Sequence, residues 1–397
     1  MVRKAVFNAL LAVYREEGFL SDLLETWKQN ARPSQRDFRL AFELGMGTIR
    51  RTYTLDAIAK ELSSTGKLSL KLKEKVLVRM ALYQVLFMDS MPLYAVADEM
   101  VKLAKTLCHP RFGQFLNALM HKLDGYTWTP SDDLSVHYSF DSAFVDELMR
   151  DYGRDQAIEV MECLNERHSP MMRLRNQKSD HPIYESKMGD CVTCQGRLQT
   201  IGKDPHVYIQ NVTPLYLLDQ LVKNLSKPPA TILDLCAAPG GKLLALHDAF
   251  PNAELHANEV SLQRATILQE NLDKYDMHAH VTHEDGRQFH SSKHFDLIIL
   301  DVPCSNTGVM GKKPEARLRH HPEGLIQLQS ELLTHCKRLL KKDGQVWYLT
   351  CSILKRENEG VIQRDDFAMI GEPITVLPNH EGWDGGFGCA LTLARDK

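Results

Sequence analysis

From about residue 206 the sequence alternates short apolar runs with segments of helical period, and nothing else in the chain constrains its fold as strongly. Thr231 to Leu235, Ala253 to Ala257, Val281-Thr282, Phe295 to Leu300 and Gln345 to Thr350 read as successive strands. A helix rich in leucine, with Leu325, Leu328, Leu332, Leu333, Leu339 and Leu340, precedes the last of them. Such alternation predicts an α/β parallel, doubly wound sheet. Val376-Leu377 and Phe387 to Leu393 can add an antiparallel pair at its end.

The first third of the chain reads differently. Val2, Val6, Ala9, Leu10 and Val13 share one helical face, and Val76 to Met88 is nearly continuously apolar, as a central buried helix would be. Val96, Ala97, Met100, Val101 and Ala104 repeat the pattern, as do Phe112, Phe115, Leu116, Leu119 and Leu123, with Gly66, Pro92, Pro110 and Gly125 as punctuation. The expected organisation is a helical domain over 1–130, a small α+β connector over 131–205 and the α/β domain over 206–397.

At 397 residues the chain can form several cores. Apolar stretches such as Ala81 to Met88 are too short to span a bilayer, and the N-terminus runs directly into a helical pattern with no signal-peptide core. Nine cysteines without a disulfide-like framework fit reduced thiols in the cytoplasm. The net charge of −3 excludes a wholly basic nucleic-acid binder. Residues 1–130, however, hold 19 Lys and Arg against 13 Asp and Glu. That excess suits either a polyanionic partner or a solvated helical surface.

The first strand runs into Asp234-Leu235-Cys236-Ala237-Ala238-Pro239-Gly240-Gly241-Lys242. Small residues here let a ligand approach the backbone at a helix N-terminus. The spacing is neither the dinucleotide fingerprint nor a Walker loop, because Leu243 follows Lys242. Glu259 ends the second strand, where an acid can accept hydrogen bonds from a ribose, and Asp285 follows the third, where it can meet an adenine amino group. Asp301 ends the fourth. Any one acid could be a turn or cap residue. An acid at the end of each of four strands fits S-adenosylmethionine, which has a ribose diol, an adenine, a sulfonium methyl and no phosphate.

Two cysteines lie just past strand ends, in Asp301-Val302-Pro303-Cys304-Ser305 and in Thr350-Cys351-Ser352. Two thiols beside a methyl-donor site suit methylation of carbon 5 of a pyrimidine. One thiol adds to carbon 6 and activates carbon 5, and the other assists release. Asp301 supplies an acid or hydrogen-bond donor for the ring. On spacing alone the two thiols are interchangeable. The other cysteines, Cys108, Cys163, Cys236, Cys336 and Cys389, read as small buried hydrophobes. Cys191 and Cys194, even with His181 and His206, are irregularly spaced for zinc, so no metal is expected. His278, His280 and His283 read as loop decoration.

These motifs resemble the RNA 5-methylcytosine methyltransferases, most closely the bacterial RsmB (Sun, Fmu) family, over almost the whole chain. The Cys236 to Lys242 loop, the Asp301 to Val309 run, and Thr350-Cys351-Ser352 with Glu357-Asn358-Glu359 carry the likeness. Pro170 to Asn176 resembles the family's connector. Gly45 to Arg51, Leu82-Tyr83-Gln84 and Phe115-Leu116-Asn117-Ala118 resemble a NusB-like RNA-binding domain.

The resemblance implies an all-α NusB-like bundle and a Rossmann-like catalytic domain. It makes Cys351 the nucleophile and Cys304 the releasing thiol, whereas DNA cytosine methyltransferases attack with the Pro-Cys thiol. It also implies that Glu259 holds ribose, Asp285 adenine and residues 237–242 the methionine part, with Asp301 on the target base and Lys242 at the reaction site. The implied substrate is small-subunit ribosomal RNA. A monomer is expected, and Arg32, Arg36, Arg39, Arg50 and Arg51 are the candidate phosphate contacts, each of which could equally be a surface salt-bridge partner. Val302, Asn306, Asn211 and Leu243 depart from the usual Ala, Gly, Asp and Thr. A catalytically silent RNA-binding or assembly factor, and a tRNA cytosine-C5 methyltransferase, remain the competing readings.

Overall fold

The computed structural model describes residues 2–63, 66, 68–88, 91–175, 184–188, 191–194, 204–319 and 322–394. The chain divides into two compact units. The first is Met1–Ala157 with Met310–His320, and the second is Ile158–Val309 with His321–Lys397.

The first unit is helical. It contains α1 (Val2–Val13), α2 (Leu20–Ala31), α3 (Gln35–Arg50), α4 (Thr52–Leu62), α5 (Leu72–Leu86), α6 (Leu93–Leu107), α7 (Pro110–His121), α8 (Leu134–Tyr138) and α9 (Ser142–Tyr152). Helix α5 is buried on every side from Val76 to Gln84, as its unbroken apolar run demands. Ser34 caps α3 by accepting from the Asp37 amide, and Asp133 and Asp141 cap α8 and α9 in the same way.

Residues 310–319 join this helical core although the chain reaches them directly from the α/β part. Glu315 accepts from the Leu20 amide at the start of α2 (2.7 Å), and Arg50 donates to the Gly311 carbonyl (2.9 Å). Arg317 is 1 % exposed, stacks on the Phe140 ring at 3.9 Å and donates to the Arg50 carbonyl at 3.0 Å. Burial pushes its guanidinium well below the usual arginine range.

In the second unit α10 (Arg154–Cys163), which begins in the first, leads to a small antiparallel sheet in the order β2-β3-β1-β4. Its strands are β1 (Met171–Leu174), β2 (Tyr184–Met188), β3 (Cys191–Cys194) and β4 (Val207–Ile209). The segment expected as a separate connector is thus shared, with α8 and α9 in the first unit and this sheet in the second. Cys191 is buried on β3, while the Cys194 side chain and His181 lie outside the described residues.

The main sheet follows α11 (Val212–Val222). It is built from β5 (Thr231–Asp234), α12 (Gly241–Ala249), β6 (Glu254–Asn258), α13 (Leu262–Lys274), β7 (His280–Thr282), β8 (Phe295–Asp301), α14 (Glu323–Leu339), β9 (Leu340–Thr350), α15 (Glu359–Ile362), β10 (Phe367–Val376) and β11 (Gly386–Leu393). Its order is β10-β11-β9-β8-β5-β6-β7. The strands from β5 to β9 run parallel, and β11 and β10 add antiparallel.

The central strands bury both faces, which is why they read as continuous apolar runs. Leu297, Ile299, Trp347 and Leu349 pack in one core, and Ile298, Leu300, Val346 and Tyr348 in the other. Strand β9 begins at Leu340, five residues before the sequence suggested, because α14 passes into it without a loop. His280 stands on β7 beside His256 rather than in a loop. Among the described residues no helix is long and apolar enough to cross a membrane.

Candidate active site

Asp234, Glu259, Asp301 and Cys351 lie at or just past the carboxyl ends of neighbouring parallel strands, where ligands bind in open α/β sheets. The loop after β5 is shaped mainly by backbone. Gly240 has φ +99°, a conformation that favours glycine, and its amide closes a turn onto the Ala237 carbonyl (2.7 Å). A Cβ on Gly241 would sit 2.7 Å from the Tyr208 ring. The Ala237 amide donates to the Asn258 carbonyl (2.9 Å), Asn271 donates to the Pro239 carbonyl (2.8 Å), and Arg264 donates to the Ala238 carbonyl. Cys236 packs against the core beneath the loop, and burial pushes its thiol well up.

Asn258, to which the sequence assigned no role, ties three strand ends together. Its Nδ2 donates to the Leu235 and Glu284 carbonyls, and its Oδ1 accepts from Thr282 and the Glu284 amide. Next to it, Glu259 is 2 % exposed. Its Oε1 accepts from the Ser261 amide (3.0 Å), and its Oε2 has no hydrogen-bond partner, only the exposed Arg264 guanidinium at 3.3 Å. Asp285 is held by Arg287 through both oxygens, and these hydrogen bonds lower its carboxyl to about 2.

Lys242 Nζ donates to Asp301 Oδ2 at 2.6 Å. Burial opposes the ammonium charge, but Asp301 outweighs it and the lysine is raised. Asp234 is 1 % exposed and its Oδ1 is unpartnered. Burial, reinforced by the charge of Asp301, pushes it up to about 7. The sequence counted Asp234 only as one of the four strand-end acids.

Cys304 and Cys351 converge, with Sγ atoms 3.1 Å apart. Both are free thiols, and the contact with Cys351, with burial, raises Cys304 well above the usual range. Their loops are held by a buried network around Glu357, which is fully buried. Its carboxylate accepts from the Ser305 amide (2.9 Å), the Ser305 hydroxyl, the Ser352 hydroxyl (2.6 Å) and Gln329 Nε2 (3.0 Å). Gln329 also donates to the Pro303 carbonyl (2.9 Å), and Tyr348 donates to the Glu357 carbonyl (2.7 Å). Thr350 donates to Asn358 Oδ1, whose amide donates to the Ser352 carbonyl. The sequence matched Glu357 and Asn358 as motif residues without revealing this work.

The departures at 211 and 243 are accommodated. Asn211 caps α11 by accepting from the Thr213 amide (3.1 Å), and its Nδ2 donates to the Gly382 carbonyl (2.9 Å). Leu243 is fully buried in the core.

Of the expected RNA contacts, Arg32, Arg36 and Arg39 are exposed around the start of α3. Arg50 and Arg51 are half-buried, the first on Gly311 and the second over the Phe87 ring. Glu254, His256 and His280 are the one group among the described residues whose ligand atoms could converge on a metal, and the Lys293 ammonium already sits on Glu254 Oε1.

The sheet order and the loop after its first strand define a Rossmann-like methyltransferase preceded by a helical domain of the NusB family. The NusB family matches residues 1–124, and the family described as 16S rRNA methyltransferase RsmB/F matches residues 224–367. The ribosomal RNA small subunit methyltransferase B of Vibrio cholerae serotype O1 is 28% identical over 98% of this chain and 97% of its own. The crystal structure of PH0851 superposes with a TM-score of 0.78 at 22% identity, covering 98% of each chain. NSun6 from Pyrococcus horikoshii, solved with SFG, gives 0.55 at 16% identity over 65% of this chain and all of that one. These two likenesses establish the fold. The α/β part of the chain is thus similar to the RsmB/F methyltransferases, and its helical part to the NusB family.

Proposed function

We propose that the protein methylates carbon 5 of a cytidine in small-subunit (16S) ribosomal RNA through a covalent adduct between Cys351 and carbon 6. The observation that carries this reading is the pair of free thiols 3.1 Å apart, at the ends of strands whose neighbours present Lys242, Asp301 and Asp234. The cofactor is S-adenosylmethionine, which supplies an electrophilic methyl group when bound.

The residues present fit that cofactor. Glu259 is buried with an oxygen free of hydrogen bonds, as a carboxylate awaiting a ribose diol would be. Asp285 retains lone pairs beyond those held by Arg287 and can accept from an adenine amine. Residues 236–242 offer a backbone cradle without large side chains for the methionine part.

Cys351 attacks carbon 6 as the thiolate, and its sulfur–carbon bond loads electron density onto carbon 5. Asp301, held by Lys242, engages the target base, and Asp234 can supply the proton that ring nitrogen 3 takes up near neutral pH. After methyl transfer a base removes the carbon 5 proton, the carbon 5–carbon 6 double bond reforms, and Cys351 leaves. Cys304 stands beside the leaving sulfur and assists that step. The target base must leave its stack to reach the thiols.

Arg32, Arg36 and Arg39 supply phosphate contacts for RNA in the cytoplasm, with the protein acting as a monomer. Bisulfite sequencing of ribosomal RNA from cells with and without the gene tests the reading. One 16S cytidine should lose its protection on deletion, and no change in any ribosomal RNA would refute it.

A further inference from the structure

Asn306 stands where the family usually has glycine, and its φ of +59° lies in the left-handed region that asparagine tolerates better than most residues. The side chain touches both thiol loops. Its Nδ2 donates to the Cys304 carbonyl at 2.9 Å, which fixes the amide orientation, because a carbonyl accepts only from the NH2 end. Its Oδ1 therefore faces Cys351 Sγ, at 3.4 Å. An amide oxygen cannot donate, so the Cys351 thiol must give its proton to this contact. The sulfur–sulfur contact of 3.1 Å is then left for the Cys304 proton.

We propose that Asn306 is a positioning residue that sets the proton order of the thiol pair, Cys304 donating to Cys351 and Cys351 donating to Asn306. The residue thereby holds Cys351 as a thiol at rest and restrains its reactivity. It also keeps Cys304 aimed at the sulfur it must later assist. A glycine at this position would keep the backbone turn and leave Cys351 without that acceptor. The catalytic meaning of this arrangement rests on the function proposed above, but the contact itself can be tested without RNA or cofactor.

The test is iodoacetamide alkylation of the folded protein at one near-neutral pH, followed peptide by peptide. The thiolate sulfur bonds to carbon, iodide leaves, and the thiol proton passes to buffer. Asn306→Gly should accelerate alkylation of the Cys351 peptide roughly three- to tenfold, the worth of one hydrogen bond to the thiol form. Asn306→Asp should slow it, because a carboxylate accepts the proton more strongly and repels the thiolate. The Cys304 peptide serves as reference, and thermal melting confirms folding. Should the aspartate variant not fold, the glycine variant decides alone. An unchanged Cys351 rate, or an equal change at both cysteines, overturns the proposal. If that happens while Cys351 still forms an RNA adduct, only the role of Asn306 falls. A supported series with no adduct would sink the methylation reading instead.

Discussion

The loop after β5 and the two thiol loops lie at the same end of one sheet, yet they are held by different physics. Residues 237–242 take their shape from backbone conformation and the absence of side chains, with Gly240 at φ +99° and Gly241 pressed against Tyr208. The loops carrying Cys304 and Cys351 are fixed by buried side-chain hydrogen bonds that meet at Glu357. On the function proposed above, a surface that touches a cofactor must be bare, whereas a pair of reacting thiols must be aimed. Substitutions should therefore fail differently in the two places.

The largest effect is expected at Glu357. Glu357→Ala removes from a dry interior the shared acceptor of the Ser305 amide, two hydroxyls and Gln329, at a cost of about 3–5 kcal/mol by urea denaturation. Methylation should fall roughly hundredfold through misplaced thiols, with cofactor affinity nearly unchanged. Loss of S-adenosylhomocysteine binding in calorimetry, with the thiols still reactive, would reverse the comparison.

Gly240→Ala should do the opposite. A Cβ at this φ is strained by about 1–3 kcal/mol and would lie 2.9 Å from Leu268. Calorimetry with S-adenosylhomocysteine should show affinity weakened about tenfold, while iodoacetamide labelling of Cys351 stays at the parent rate.

A smaller effect concerns pH. Asp234 is raised in the fold to about 7 from 3.8, so its stabilising contribution is complete below pH 3.8 and is lost as pH rises through about 7. Asp234→Asn should flatten the fall in melting temperature between pH 5 and pH 8. An identical fall in both proteins would mean that Asp234 stays ionised across that range.

Sequence reading reached the backbone-built loop more completely than the network. Apolar runs bounded by turns marked the strands, and their acidic ends pointed to one edge of the sheet. Glu357 sits in Lys355-Arg356-Glu357-Asn358-Glu359, which locally looks like a solvated stretch, and only the packed structure buries it. Asn258 is likewise an ordinary strand-end polar residue until its four partners are seen. Leu339 and Leu340 continue one apolar helical pattern, which hid the early start of β9. Nothing in the local pattern of residues 310–320 says that Arg317 belongs to the helical core, because membership of a core depends on distant partners such as Phe140.

The order of the two thiols is the central claim, and trapping the enzyme on RNA tests it most directly. Cys351→Ala and Cys304→Ala proteins would be incubated with 16S ribosomal RNA and S-adenosylmethionine, then run on denaturing gels. The account requires no covalent complex with Cys351→Ala and an accumulating one with Cys304→Ala. A complex that persists without Cys351 and vanishes without Cys304 would contradict it.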